Sequence, residues 1–248
     1  MCFSAEASFT VGAALVPAGG YCLWSAVLKK PSYLGLAAIP TCFGIQQISE
    51  GFVWHALAHD DRAEIRVWSL VFLFFALAFW PFWFPFLTML MEPNRPRKAI
   101  FLALSILATT WFWVLFYPLV VGPELLLTTR VEHHSIQYEY ADLAVYQHMP
   151  DYSWIHPVWG SPKTFLRLLY LLTIALPPIM CTESWGRVSG LILGASAVLA
   201  VLVFDHAFVS VWCFFAAVMA VYLCVVFHRL PKSQANAALA FDASASTV

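Results

Sequence analysis

Charge is scarce in this sequence. Charged residues make up 11% of its 248 residues and hydrophobic ones 61%, whereas a soluble domain carries about 25% charged residues. That excludes an ordinary soluble fold, and a net charge of −1 gives no sign of a nucleic-acid partner. The five lysines, Lys29, Lys30, Lys98, Lys163 and Lys232, all fall outside the apolar runs. No span therefore offers the amine that a retinal Schiff base needs. No arginine series marks a voltage sensor, and no two histidines share mid-membrane depth on facing spans as a membrane haem would require. A phosphate-binding glycine loop, a G-x-S-x-G elbow and an H-E-x-x-H helix are all missing. The six cysteines, Cys2, Cys22, Cys42, Cys181, Cys213 and Cys224, mostly lie within apolar runs and form no disulfide framework.

What remains is apolar sequence in long runs. A span needs about 20 mostly apolar residues, and seven runs qualify: Ala7–Leu28, Leu34–Leu57, Val67–Met91, Ala99–Val121, Phe165–Met180, Val188–Phe204 and Ala207–Phe227. The expected fold is all-α, a seven-transmembrane helix bundle with lipid as its solvent. Pro81 and Pro85 should kink the third span. With the N-terminus outside, Lys29, Lys30, Arg95, Arg97, Lys98, Arg187, Arg229 and Lys232 fall inside, and Arg62, Arg66, Arg130, Lys163 and Arg167 outside. That bias satisfies the positive-inside rule. The start MCFSAEASF lacks a basic region, so no cleavable signal peptide is expected. Residues 1–232 then form one integral membrane domain, and residues 233–248 a small, polar, disordered cytoplasmic tail.

This orientation gathers polar chemistry on the outer side. Seven of the eight histidines fall there: His55, His59, His133, His134, His148, His156 and His206. The outer loop between spans four and five, residues 122–164, is long and aromatic, which favours an ordered functional cap over a tether. Within it RVEHHSIQYEY alternates like a strand, with His134, Ile136, Tyr138 and Tyr140 on one face.

The second span carries the sharpest question. FGIQQISEGFVWHALAHDD places Gln46, Gln47, Glu50 and Trp54 within about a 100° helical arc. Such a stripe must face the bundle interior, because each group is costly against lipid. Glu50 fits a proton or ion carrier, an acid/base group in an outward pocket, or a neutral hydrogen-bonded carboxyl. His55 and His59 share another face, roughly 140° away, in the H-x-x-x-H spacing of a metal site. With His133, His134 and His206 they could bind a divalent transition metal such as zinc, drawing ligands from three segments. Glu50 or Asp205 would then serve as general base toward a metal-bound water. Trp54, Tyr138 and Trp212, with Gln46 and Gln47, are the expected ligand-binding lining. Interfacial histidines at a helix exit account for the same residues without a metal. Cys2 is a small residue before a helix capped by Ser4, or a nucleophile once Met1 is removed.

MCFSAEASF, GAALVPAGGYCL, IPTCFGIQQISEGFVW, HHSIQYEY and FVSVWCFFAA together resemble a family of uncharacterised bacterial multi-pass membrane proteins. The resemblance implies a bacterial cytoplasmic-membrane protein and carries over no catalytic residue. The chain is also similar in span count and clustered histidines to seven-span zinc hydrolases of the alkaline ceramidase and adiponectin-receptor type. Their paired histidines lie late in the chain, whereas here the pair is in span two. Three roles are therefore carried forward: a metal-dependent membrane enzyme such as a lipid hydrolase, a transporter or proton or ligand sensor, and a structural subunit.

Overall fold

Ser4 opens the first long helix, its hydroxyl accepting from the Ala7 amide at 3.2 Å, which satisfies one of the orphan donors of the first turn. The structure is a computed structural model that describes residues 4–132, 134–140, 143–148, 162–203 and 208–229. Helix α1 runs Ala5–Lys29. A short α2, Leu34–Ala37, leads into α3, Ile39–Ala58. Asp61 caps α4, Arg62–Leu73, through the Glu64 amide at 3.1 Å. A π-helical segment, Phe74–Phe79, joins α4 to α5, Trp80–Met91. Asn94 caps α6, Arg95–Trp111, which continues through a second π segment, Phe112–Phe116, into α7, Tyr117–Val121. A two-stranded antiparallel hairpin follows, β1 Thr128–Glu132 and β2 Ser135–Glu139, with Thr128 opposite Glu139 and Glu132 opposite Ser135. Then come the short α8, Ala144–His148, and three long helices, α9 Pro162–Met180, α10 Ser184–Val203 and α11 Phe208–Arg229.

The described chain is mostly helical, and the fold class matches the sequence reading at that level. Three described helices are long and apolar enough to cross a membrane: Ala5–Lys29, Arg62–Met91 and Arg95–Val121. Shorter apolar stretches cover Thr164–Met180, Gly186–Ala200 and Met219–Arg229. Residues 230–248, including the tail expected to be disordered, lie outside the described residues.

Two prolines come with widened helical turns. Each π segment ends two residues before a proline, Pro81 or Pro118. Proline has no N–H to give to the preceding turn. Widening the ladder lets Trp80 donate to Phe75 and Tyr117 to Phe112, five residues back. In that register the Ala76 carbonyl faces Pro81 and gains no amide donor. The buried hydroxyl of Tyr170, on α9, donates to it instead. Proline in an apolar helix is tolerated where a neighbouring helix re-satisfies the freed carbonyl in this way.

Two clusters form the core. One gathers Phe43, Trp80, Phe84, Tyr170, Trp212 and Met219 with their neighbours from α1, α3, α5, α9, α10 and α11. The other lies under the hairpin, where Tyr138 stacks on Phe72 at 5.0 Å and Ile136 and Leu143 are fully enclosed. A hydrogen bond of 2.9 Å between Ser69 and Thr129 ties the hairpin to α4. Arg66 donates to the carbonyls of Leu119, at 3.0 Å, and Gly122, at 3.5 Å, closing the end of α7. These contacts define a hairpin end of the molecule. At the opposite, basic end, Lys29 donates to the carbonyls of Phe227, at 2.9 Å, and His228, at 3.1 Å, closing α11.

Candidate functional site: a buried carboxyl in the α1–α3 seam

The site begins with glycines. Helices α1 and α3 run antiparallel at backbone contact. A methyl group on Gly12 would meet the Gly44 carbonyl oxygen at 2.8 Å, and one on Gly19 would meet the Thr41 amide nitrogen at 2.5 Å. One on Gly51 would strike the ring of Phe9 at 2.7 Å. Close approach of this kind is how helices pack where no hydrophobic force drives them together. It brings Ser8 to Glu50, and the hydroxyl donates to Oε2 at 3.4 Å.

Gln46, Gln47 and Glu50 are all at 0% exposure, so the polar stripe does face the interior. They are nonetheless held differently. The Gln46 Oε1 accepts from the Trp80 indole N–H at 2.7 Å, and Phe43 stacks on that indole at 4.0 Å. The Ser49 hydroxyl turns back to the Gln46 carbonyl at 2.6 Å. Gln47 lies three residues before Glu50 on the same helix face, and neither its amide nitrogen nor its oxygen has a hydrogen-bond partner. A buried amide without partners costs about 1–3 kcal/mol. From Gln46 toward the basic end, α3 presents Phe43, Pro40 and Ile39 to the core. Glu50 itself lies about 12 Å, eight residues, below the end of α3.

The histidines stand apart from this carboxyl. His55 and His59 are exposed, with ring centroids 4.4 Å apart. The His59 Nδ1 donates to the His55 carbonyl at 2.8 Å, which leaves Nε2 facing away from the helix. Glu50 is buried while the pair is not, as the 140° offset along α3 requires. His134 differs from the strand reading. It sits in the two-residue connection between β1 and β2 with φ of 59°, exposed. The alternation holds for Ile136 and Tyr138, and the strand begins one residue after His134. Among the described residues no three His, Cys, Asp or Glu side chains gather as a metal site. His133, His206 and Asp205 lie outside the described residues, as does His156.

The aromatic candidates fall in two places. The Trp54 indole nitrogen is buried without a partner beside the hairpin cluster. Tyr138 belongs to the hairpin itself. Trp212 lies on another seam, donating to Ser196 at 3.1 Å and to the Leu193 carbonyl at 3.3 Å, with Tyr170 edge-on at 5.4 Å.

Sequence reasoning missed three groups. Ser8 is one, and the seven-residue spacing of Gly12 with Gly19 on α1 and Gly44 with Gly51 on α3 was the signal that would have paired the helices. Glu92 is the second, just beyond α5. It accepts from the Asn94 amide at 3.1 Å, the Thr182 amide at 2.9 Å and the Thr182 hydroxyl at 2.6 Å. Burial alone would raise its pKa, but the Thr182 and Asn94 donors and the nearby Arg97 charge outweigh it and hold the carboxyl below its ordinary range. The third is the Cys22–Cys224 contact, at 3.3 Å.

A further cavity opens at the basic end, lined by Leu36, Phe84, Thr88, Cys181, Ser189 and Met219 among others. It offers about 20 Å³ to a water-sized molecule, room for a single water.

Neither the curated proteins nor the solved structures contain a match to this chain. Over residues 1–238 it matches the model of DUF6629, a family of unknown function, and it belongs to that family.

Proposed function

We propose a seven-span membrane protein, N-terminus outside, that senses a proton or a small hydrogen-bonding ligand at Glu50. The topology rests on the three long apolar helices and on the inward bias of Lys and Arg. The carrying observation is a fully buried carboxyl whose neighbour on the same helix face, Gln47, leaves both polar atoms of its amide unpartnered. An ionisable group at this depth is costly and marks function. An unpartnered amide beside it is a site for a donor or acceptor that comes and goes. The Phe43–Trp80 stack and the apolar remainder of α3 favour a one-sided pocket over a conduit, hence a sensor over a transporter.

Infrared difference spectra recorded across a pH titration in lipid nanodiscs test this. Glu50→Gln should delete one titrating carboxyl band while the helical signal persists. A full set of titrating bands in that variant would overturn the reading.

A metal-dependent enzyme remains the second reading, favoured by one observation. The His59 Nδ1–H bond to a carbonyl is the arrangement that frees Nε2 for a metal, and the His55 ring lies beside it. Metal analysis of protein purified without a histidine tag, with and without the His55→Ala/His59→Ala change, decides it. Near-stoichiometric metal lost in the variant supports the enzyme, and metal-free folded protein removes it.

A further inference from the structure

The Sγ atoms of Cys22 and Cys224 lie 3.3 Å apart although the residues are 202 positions apart in sequence. Both are free thiols. Their approach is fixed by contacts around them. Ser25 donates to the Phe227 carbonyl at 3.1 Å, Lys29 to the same carbonyl at 2.9 Å, and Tyr21 pairs with His228 Nδ1 at 3.0 Å. The α1–α11 seam is thus held on the thiols' own flank. A disulfide needs an S–S distance of about 2.05 Å, so closure asks for a movement of roughly 1 Å, within reach of side-chain rotation. Cys22 has no exposed surface and Cys224 is half-buried. The outer face of α11 beside Cys224 is apolar, with Val221 and Val225 exposed. The pair lies about 10 Å, seven residues, from the Lys29 end of α1.

We infer that Cys22 and Cys224 form a redox site that closes into a disulfide by giving two electrons to a lipid-soluble quinone. Both S–H bonds break and one S–S bond forms. The two electrons and two protons pass to the quinone, which leaves as the quinol. The apolar surroundings select this class of acceptor, since a charged, water-borne disulfide must reach a thiol on a face built of valines. Closure would fasten α1 to α11, and α1 is the helix that presents Ser8 to Glu50. The inference stands on the thiol geometry and does not depend on the role of Glu50.

The test uses the full chain in lipid nanodiscs with a fully substituted ubiquinone analogue, which cannot itself alkylate thiols. After incubation the remaining thiols are blocked with N-ethylmaleimide under denaturing conditions, and peptides are read by mass spectrometry. The expected result is a peptide linking the Cys22 and Cys224 segments. Quinol should form in equal amount, dithiothreitol should reverse the link, and Cys22→Ser should abolish it. Wild-type protein alone gives this readout, so a variant that fails to fold costs nothing. Two blocked thiols in quinone-treated, folded protein would overturn the inference. So would a disulfide that forms with oxidised glutathione and not with the quinone.

Discussion

Glu50 and Glu92 are both buried carboxyls, at 0% and 2% exposure, yet they occupy opposite kinds of environment. Glu92 sits at the basic end where α5 gives way to a loop. It is clamped by two backbone amides and a hydroxyl at 2.6–3.1 Å, within range of the Arg97 charge. Arg97 in turn donates to the Met180 carbonyl at 3.3 Å and to the Thr182 hydroxyl at 3.4 Å. Glu92, its carboxylate favoured by these donors, staples α5 and α6 to the α9–α10 junction. Glu50 sits inside a helix seam, receives a long 3.4 Å bond from Ser8, and neighbours an amide with no partner. A carboxyl saturated with donors holds structure, whereas one beside unsatisfied polarity has room for a second state.

That contrast can be broken in order of force. The largest effect belongs to the seam itself. Gly19→Leu would drive a side chain into the Thr41 backbone and should cost about 3 kcal/mol, read as a fall in the thermal unfolding midpoint in detergent. It should also lose the Glu50 band with the packing that holds it. Next comes Glu92→Ala, which strips the Thr182 and Asn94 amides of their acceptor and should cost about 2 kcal/mol, measured the same way.

The pH dependence sharpens the difference. Because the folded-state pKa of Glu92 is lowered, its contribution is present above the ordinary carboxyl pKa of about 4.3. It is lost as pH falls through the folded value. Acid melts of wild type should therefore lose stability below about pH 4.3, and Glu92→Gln should flatten that limb. Smallest is Ser8→Ala, worth less than about 1 kcal/mol in unfolding but expected to shift the Glu50 infrared band. A Ser8→Ala protein with an unmoved band would show that the hydroxyl does not govern the carboxyl.

Much of this was written in the residues. Long apolar runs marked the helices, and a 100° arc put Gln46, Gln47 and Glu50 on one inward face. The same arithmetic separated His55 and His59 from Glu50. Alternation found the hairpin because Ile136 and Tyr138 must face a core. The misses share a physical cause: each depends on a partner distant in sequence. The π segment needs Tyr170 to receive the Ala76 carbonyl, 94 positions away. Glu92 is an ordinary loop acid until Thr182 arrives, 90 positions on. Cys22 gives no hint of Cys224. His134 was misread because two adjacent histidines look like strand until one takes the positive φ of a turn.

The π segment before Pro81 also acts as a clock hand. A helix turns about 100° per residue, so one residue more or fewer there rotates everything beyond it. Above the segment, Ser69 and Phe72 meet the hairpin, and below it Trp80 meets Gln46. The wider turn absorbs one extra residue, so forcing all six residues of Phe74–Phe79 into ordinary winding would swing Trp80 away from the glutamine. The two halves of this rod are thus phased separately, one for the hairpin and one for the buried stripe.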